Sequence, residues 1–142
     1  MATVAVSSHG TLLKAGDGGG SEVFTTVAEV MDISGPGVAV GTEEVTSHDS
    51  AGWREFVATL REIGELTFTL NFNAGATQGF AAGLYLDMIN RTKRNFQLVL
   101  TTTSVKTGSF AAFVTGYQFD LPVEGVIRAD VTLQGTGALT WA

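Results

Sequence analysis

The sequence predicts a mainly β protein, a two-sheet β-sandwich or open barrel with one flanking α-helix at about residues 77–91. Three observations predict it. Residues 66–73 alternate without a break, with Leu66, Phe68, Leu70 and Phe72 on one side and Thr67, Thr69, Asn71 and Asn73 on the other. That is the period of a strand with one buried and one wet face. Ile127, Ala129, Val131 and Leu133 alternate in the same way with Arg128, Asp130, Thr132 and Gln134. Between these stretches, Phe80, Leu84 and Met88 with Ala81, Tyr85 and Ile89 form an apolar stripe at helical spacing, with Thr77 placed as an N-cap.

The other elements follow in chain order. A short strand is expected over 11–14, then the glycine-rich loop Gly16–Ser21, then a long strand from about Val23 to Ile33. Ser34-Gly35-Pro36-Gly37 is a turn signal that stops it. A short strand is expected from about Glu43 to His48. From Ser50 to Gly64, Trp53, Phe56, Val57, Leu60 and Ile63 recur at steps of three and four, which fits a helix capped by Ser50 or an irregular packed loop. Strands are expected again at about 95–103, 109–121, 125–134 and from Ala138 to the end. No internal repeat or long linker divides the chain, so residues 1–142 read as one domain.

At 44% hydrophobic residues the chain is globular rather than disordered. No apolar run approaches the roughly 18 residues of a membrane span, no membrane insertion is expected, and no leader peptide is visible. The absence of cysteine excludes disulfides, thiolate metal sites and a cysteine nucleophile. Charged residues are 15%, against roughly 25% in ordinary soluble domains. A small monomer normally covers itself with charge. This chain therefore either hides surface against other subunits, the better reading, or carries a polar uncharged surface rich in threonine. Its net charge of −6 is opposite to that of a tight nucleic-acid binder.

Candidate chemistry is sparse. His48-Asp49 between Ser47 and Ser50 suggests a hydrolase, but triads are assembled in space and adjacency is no signal. His9 is the other histidine, and a two-histidine metal site would need both. Gly16, Gly18, Gly19 and Gly20 lack the pattern of a phosphate loop, and Asp17 and Glu22 lack the spacing of a calcium loop. Asn90-Arg91-Thr92 matches a glycosylation acceptor by chance. Arg91, Lys93 and Arg94 are the one basic cluster, read as a helix-end cap or as a salt bridge to an acidic neighbouring subunit. No enzyme activity, cofactor or metal is expected. A monomeric β-barrel binding an apolar ligand is the alternative from another functional class.

Several stretches together resemble the phage major tail tube protein family: FTTVAEVMDISGPG at 24–37, EEVTSHDSAGWREFVATLREIGELTFTLNFN at 43–73, RNFQLVL at 94–100 and FVTGYQFDLPVEGVIRADVTLQGTG at 113–137. The resemblance implies a β-sandwich with a flanking helix, assembled as hexameric rings stacked into a tube. It implies a virion tail or a phage-derived particle such as a gene transfer agent, built in the host cytoplasm. It further implies a tape-measure protein and tail-end proteins as partners, with DNA present only in transit.

Two sets of residues acquire roles under that resemblance. Thr67, Thr69, Asn71, Arg128, Asp130, Thr132 and Gln134 are expected to lie in one sheet and to line the lumen. Glu43, Glu44, His48, Asp49, Trp53 and Arg54 are expected to reach the next ring, with Trp53 as the anchor. Gly16–Ser21 and the last residues before Ala142 are expected to be mobile in free subunits and ordered in the tube.

Overall fold

The computed structural model describes residues 5, 7–16, 18, 21–27, 29–73, 83–101 and 105–142. Among them are nine strands and one helix: β1 (Leu12–Gly16), β2 (Phe24–Thr26), β3 (Val30–Ser34), β4 (Val38–Glu44), β5 (Phe56–Ile63), β6 (Glu65–Asn71), α1 (Leu84–Asn90), β7 (Lys93–Leu100), β8 (Lys106–Asp120) and β9 (Arg128–Trp141). Seven strands make one antiparallel sheet in the order β2-β1-β7-β8-β9-β6-β3, while β4 and β5 form a separate two-stranded sheet.

The core lies on one face of the large sheet. Alternation sends Leu66, Phe68 and Leu70 of β6 and Ala129, Val131 and Leu133 of β9 into it. Phe96 and Leu98 of β7, Phe110, Ala112 and Val114 of β8, and Leu13 of β1 join them, with Val27, Ile63 and Leu84. Each large apolar side chain buried there contributes about 1.5–3 kcal/mol.

The expected long strand at 23–33 is divided. Its halves, β2 and β3, occupy opposite edges of the seven-stranded sheet, joined by residues 27–29. Four Cα steps span at most about 14 Å. A flat sheet of this width would hold its edges about 29 Å apart, at about 4.8 Å per strand. The sheet therefore curls until its edges approach, as an open barrel around the core. The crossing bonds to both sides: Val27 N–H donates to Leu13 C=O at 2.8 Å, and Asn71 N–H donates to Glu29 C=O at 3.0 Å. Glu29 makes the bend at φ 62°, a conformation uncommon for a side chain other than glycine.

The helix starts at Leu84 after Gly83, which offers no side-chain cap. Thr77, Phe80 and Ala81 of the expected stripe lie outside the described residues. Tyr85 sets its ring edge-on to Tyr117 of β8 at 5.5 Å, and burial pushes the Tyr117 phenol up to about 12. Buried Asp87 receives Arg94 through both guanidinium bonds, at 2.5 and 2.7 Å, and Arg94 also donates to Gly16 C=O at 2.6 Å. The expected basic cluster is thus dispersed. Arg91 ends the helix in the left-handed region, Lys93 points outward, and Arg94 is paired within its own chain rather than with a neighbouring subunit. Removing one partner of so shielded a pair costs about 3–5 kcal/mol.

Other boundaries shift. The strand expected at 43–48 is β4 at Val38–Glu44, and the last two expected strands are the single β9. At the C-terminal end, Ala142 and Thr107 exchange both backbone hydrogen bonds at 2.9 Å. At the glycine-rich loop, Gly16 is buried at the end of β1, and the Glu22 carboxylate accepts from Gly18 N–H at 2.9 Å and from Asn95 Nδ2 at 2.8 Å. Residues 17, 19 and 20 lie outside the described residues.

The turn at Gly35 does require glycine. Its φ is +103°, and an added Cβ would stand 2.7 Å from Glu65 C=O and 3.1 Å from Leu66 Cα, both backbone atoms. Gly35→Ala is expected to destabilise the chain by about 2 kcal/mol in urea unfolding. Gly37→Ala, which meets nothing within 4 Å, is the control and should change little.

Candidate assembly surfaces

β4 and β5 form an arm. It leaves the sheet at the turn 35–37 and returns through Gly64, where Gly64 N–H donates to Gly37 C=O at 2.6 Å and Gly135 N–H to Gly64 C=O at 3.1 Å. Ile63 is buried at the root, while the rest of both strands is exposed. This corrects the expectation for 50–64: Phe56, Val57, Leu60 and Ile63 belong to a strand, Trp53 precedes it, and Phe56, Val57 and Leu60 face solvent in the subunit rather than a core. Leu60 is 85% exposed. The register shifts between Val40 and Thr42, which pair with Arg61 and Ala58, so β5 carries one extra residue opposite Gly41.

The arm ends in the loop 45–55. Its own polar groups hold it: Val45 N–H donates to Glu55 C=O at 2.8 Å, Glu55 N–H to Thr46 Oγ1 at 2.8 Å, and Ser50 Oγ to a Glu55 carboxylate oxygen at 2.7 Å. Ser50 thus serves a turn and caps no helix. The residues singled out for contact with the next ring, Glu43, Glu44, His48, Asp49, Trp53 and Arg54, all sit exposed on this one element. Trp53 is 79% exposed, which removes it from the subunit's own core.

A second surface lies on the outer face of β6 and β9. These strands pair in register, setting Thr67 opposite Thr132, Thr69 opposite Asp130 and Asn71 opposite Arg128. The Thr69 hydroxyl donates to Asp130 Oδ1 at 2.8 Å. Arg128 also stands opposite Asp120 of β8, so acidic groups flank it along and across the strands. The two polar faces expected to share a sheet do share one. Two members are less open than the alternation suggests. Gln134 turns its amide to Ile63 and Gly135 carbonyls at the arm root, at 3.4 and 3.1 Å. Half-buried Asn71 donates to Glu29 at 3.4 Å, and its Oδ1 is shut from solvent with no partner among the described residues.

A third surface is apolar and sits at the far end of the same strands. The connection between β8 and β9 exposes Leu121, Val123, Val126 and Ile127. Phe72 N–H donates to Ile127 C=O at 2.9 Å, which places this loop at the end of β6 away from the arm.

Among the described residues, the serines and histidines of the catalytic readings are not brought together. Ser47 and Ser50 serve the arm loop, and His48 lies on that exposed loop, whereas His9 lies beside Thr101 at the end of β7. No cluster of three metal-ligating side chains occurs among the described residues. A cavity of about 560 Å³ between Phe24, Lys93, Phe96, Phe110 and Ala138 is an open surface groove, not an enclosed apolar chamber.

A sequence profile of the family described as lambda phage tail tube protein matches residues 15–142. No curated protein is similar enough in sequence to match the chain. Among solved structures, the tail of an empty gene transfer agent particle, refined helically with C6 symmetry, superposes with a TM-score of 0.73 at 23% identity, over 97% of this chain and 99% of that one. A chain of the sheath–tube complex of a PVC extracellular contractile injection system, in the extended state, gives 0.62 at 17% identity over 93% and 87%. The SPP1 tail tube gives 0.60 at 15% identity over 92% and 74%. At these identities the likeness is one of fold.

Proposed function

Because the chain belongs to the lambda phage tail tube protein family, we propose that six copies close into a ring, that rings stack into a tube, and that the tube is a conduit for DNA entering the host cell. The chain is a structural subunit of a phage or phage-derived tail, and it assembles with itself into a tube. Its role is mechanical, without catalysis. Assembly takes place in the host cytoplasm around a tape-measure protein, with tail-end proteins closing the tube.

The observation that carries the conduit is the in-register polar face of β6 and β9 over a dry core. Thr67, Thr69, Arg128, Asp130 and Thr132 would line the lumen, with Asn71 and Gln134 at its margins. DNA in transit must not stick. Lysine-rich walls hold phosphates through counterion release, whereas hydroxyl groups with a slight acidic excess leave the backbone unbound. Arg128 is offset by Asp120 and Asp130 beside it. The arm, with Trp53 at its end, is suited to reach the next ring, where aromatic anchors carry much of an interface's energy.

Electron microscopy of the concentrated purified chain tests the assembly: rings or tubes are expected, and a stable monomer refutes it. Trp53→Ala should leave subunit stability within about 0.5 kcal/mol of the unmutated chain, because the ring is exposed, yet stop tube growth. Tubes of normal length from that variant would remove Trp53 as the anchor. Replacing Thr67, Thr69 and Thr132 together with lysine should permit tubes but slow or abolish DNA delivery. Normal infection by particles carrying the triple change would show that this face is not the lumen.

A further inference from the structure

The open groove over β7 and β8 lies apart from the three surfaces described above. Its floor is the outer face of that ladder, where Asn95 pairs with Ala111 and Gln97 with Ser109. Phe24 of β2 flanks it on one side, and residues 136–138 of β9 flank it on the other. The β9 rim is a bulge. Ala111 pairs with Thr136 and Ser109 with Thr140, so three residues of β9 stand opposite the single residue Phe110. Gly137 within it has φ +77°, and both Gly137 and Ala138 are exposed. A bulge interrupts the ladder and leaves backbone N–H and C=O groups unpaired at this rim. On the β2 side, Glu22 accepts from Asn95 Nδ2 at 2.8 Å and from Gly18 N–H at 2.9 Å. That bond orients the Asn95 amide and leaves its Oδ1 and second N–H for another partner. Lys93, Gln97, Ser109 and Thr136 line the same groove, and among the described residues none of their side chains has a hydrogen-bond partner. On the polar face of β6 and β9, by contrast, Thr69, Asn71 and Gln134 are all engaged.

We propose that this groove binds a short neutral oligosaccharide of the kind that surface polymers expose. Its volume of about 560 Å³ falls in the range of about 300–1,000 Å³ typical of small-molecule sites. Amides and hydroxyls both donate and accept, which matches the hydroxyls of a sugar. Lys93 is the one charged residue of the lining, and Glu22 beside Asn95 offsets it, so the groove has no net charge with which to select an ion. Half-buried Phe24 offers a ring against which the C–H face of a pyranose packs. The site is open and wet, unlike the closed apolar chamber that a lipid would need. The binding step does not depend on the tube assembly; only its placement along a tail does.

Free subunits labelled with ¹⁵N and titrated with a panel of neutral trisaccharides, built of glucose, galactose, mannose or N-acetylglucosamine, test the site by NMR. The side-chain amide signals of Asn95 and Gln97 are expected to shift saturably with at least one of them. Gln97→Ala and Thr136→Ala are each expected to weaken that binding about tenfold without lowering the unfolding midpoint, since neither side chain has a partner to lose. No saturable shift at these amides with any member of the panel overturns the proposal, as does unchanged binding by both variants. A response to inorganic phosphate or glucuronate alone makes this an anion site at Lys93 and overturns it too. Tubes sedimented with the radiolabelled trisaccharide are expected to retain it. Subunits that bind and tubes that do not would show that neighbouring copies cover the groove, which removes its role on a tail and leaves the tube assembly standing. Absence of tubes from the unmutated chain counts against the assembly alone.

Discussion

The crossing at residues 27–29 is the constraint on which the rest of the structure depends. One chain segment bonds to β1 at one sheet edge and to β6 at the other, within a reach of about 14 Å. The seven strands must then curl, and curling separates an inner face from an outer one. The inner face takes Leu66, Phe68, Leu70, Phe96 and Leu133 out of water. The outer face of β6 and β9 stays polar and becomes available for another purpose. Curling also draws β2 and β3 together, so the edges that an open sheet would offer to any passing strand are shortened and partly protected.

What was legible in the sequence follows the same division. Where a strand lies over the core, burial enforces the alternation, and β6 and β9 could be read residue by residue, including their shared sheet. Where a strand leaves the core, nothing enforces it. One of the arm's three-residue steps, Val57 to Leu60, has a physical reason: β5 carries an extra residue opposite Gly41. Val57 and Leu60 therefore share a face three positions apart, which imitates a helix. The bend at Glu29 was equally hidden, because a positive φ at a non-glycine residue leaves no compositional trace. Arg94 looked like a surface cation because its partner Asp87 sits one helical turn and a strand start away, and only the docking of α1 on β8 buries both.

The shared polar face of β6 and β9 was legible in outline and not at its margins. Alternation alone places Asn71 and Gln134 with Thr69 and Thr132. Yet Asn71 is drawn to Glu29 at the crossing, and Gln134 to the carbonyls at the arm root. Each marks a place where the outer face gives way to another element. The wall of the proposed conduit is thus framed by the crossing at one end and by the arm at the other.

Low charge and a protruding apolar arm are two expressions of one condition. A monomer of this size would keep Val40, Phe56 and Leu60 covered or would replace them with charged residues. Here the arm exposes Val38, Val40, Phe56, Val57 and Leu60, and charged residues are 15% of the chain. The surface of the free subunit resembles an interior cut open, as obligate interfaces do. The polar face of β6 and β9 is the exception, and that too fits the assembly. In the proposed assembly it is the face that stays in contact with water around the channel, and the one from which sticky positive charge has to be kept away.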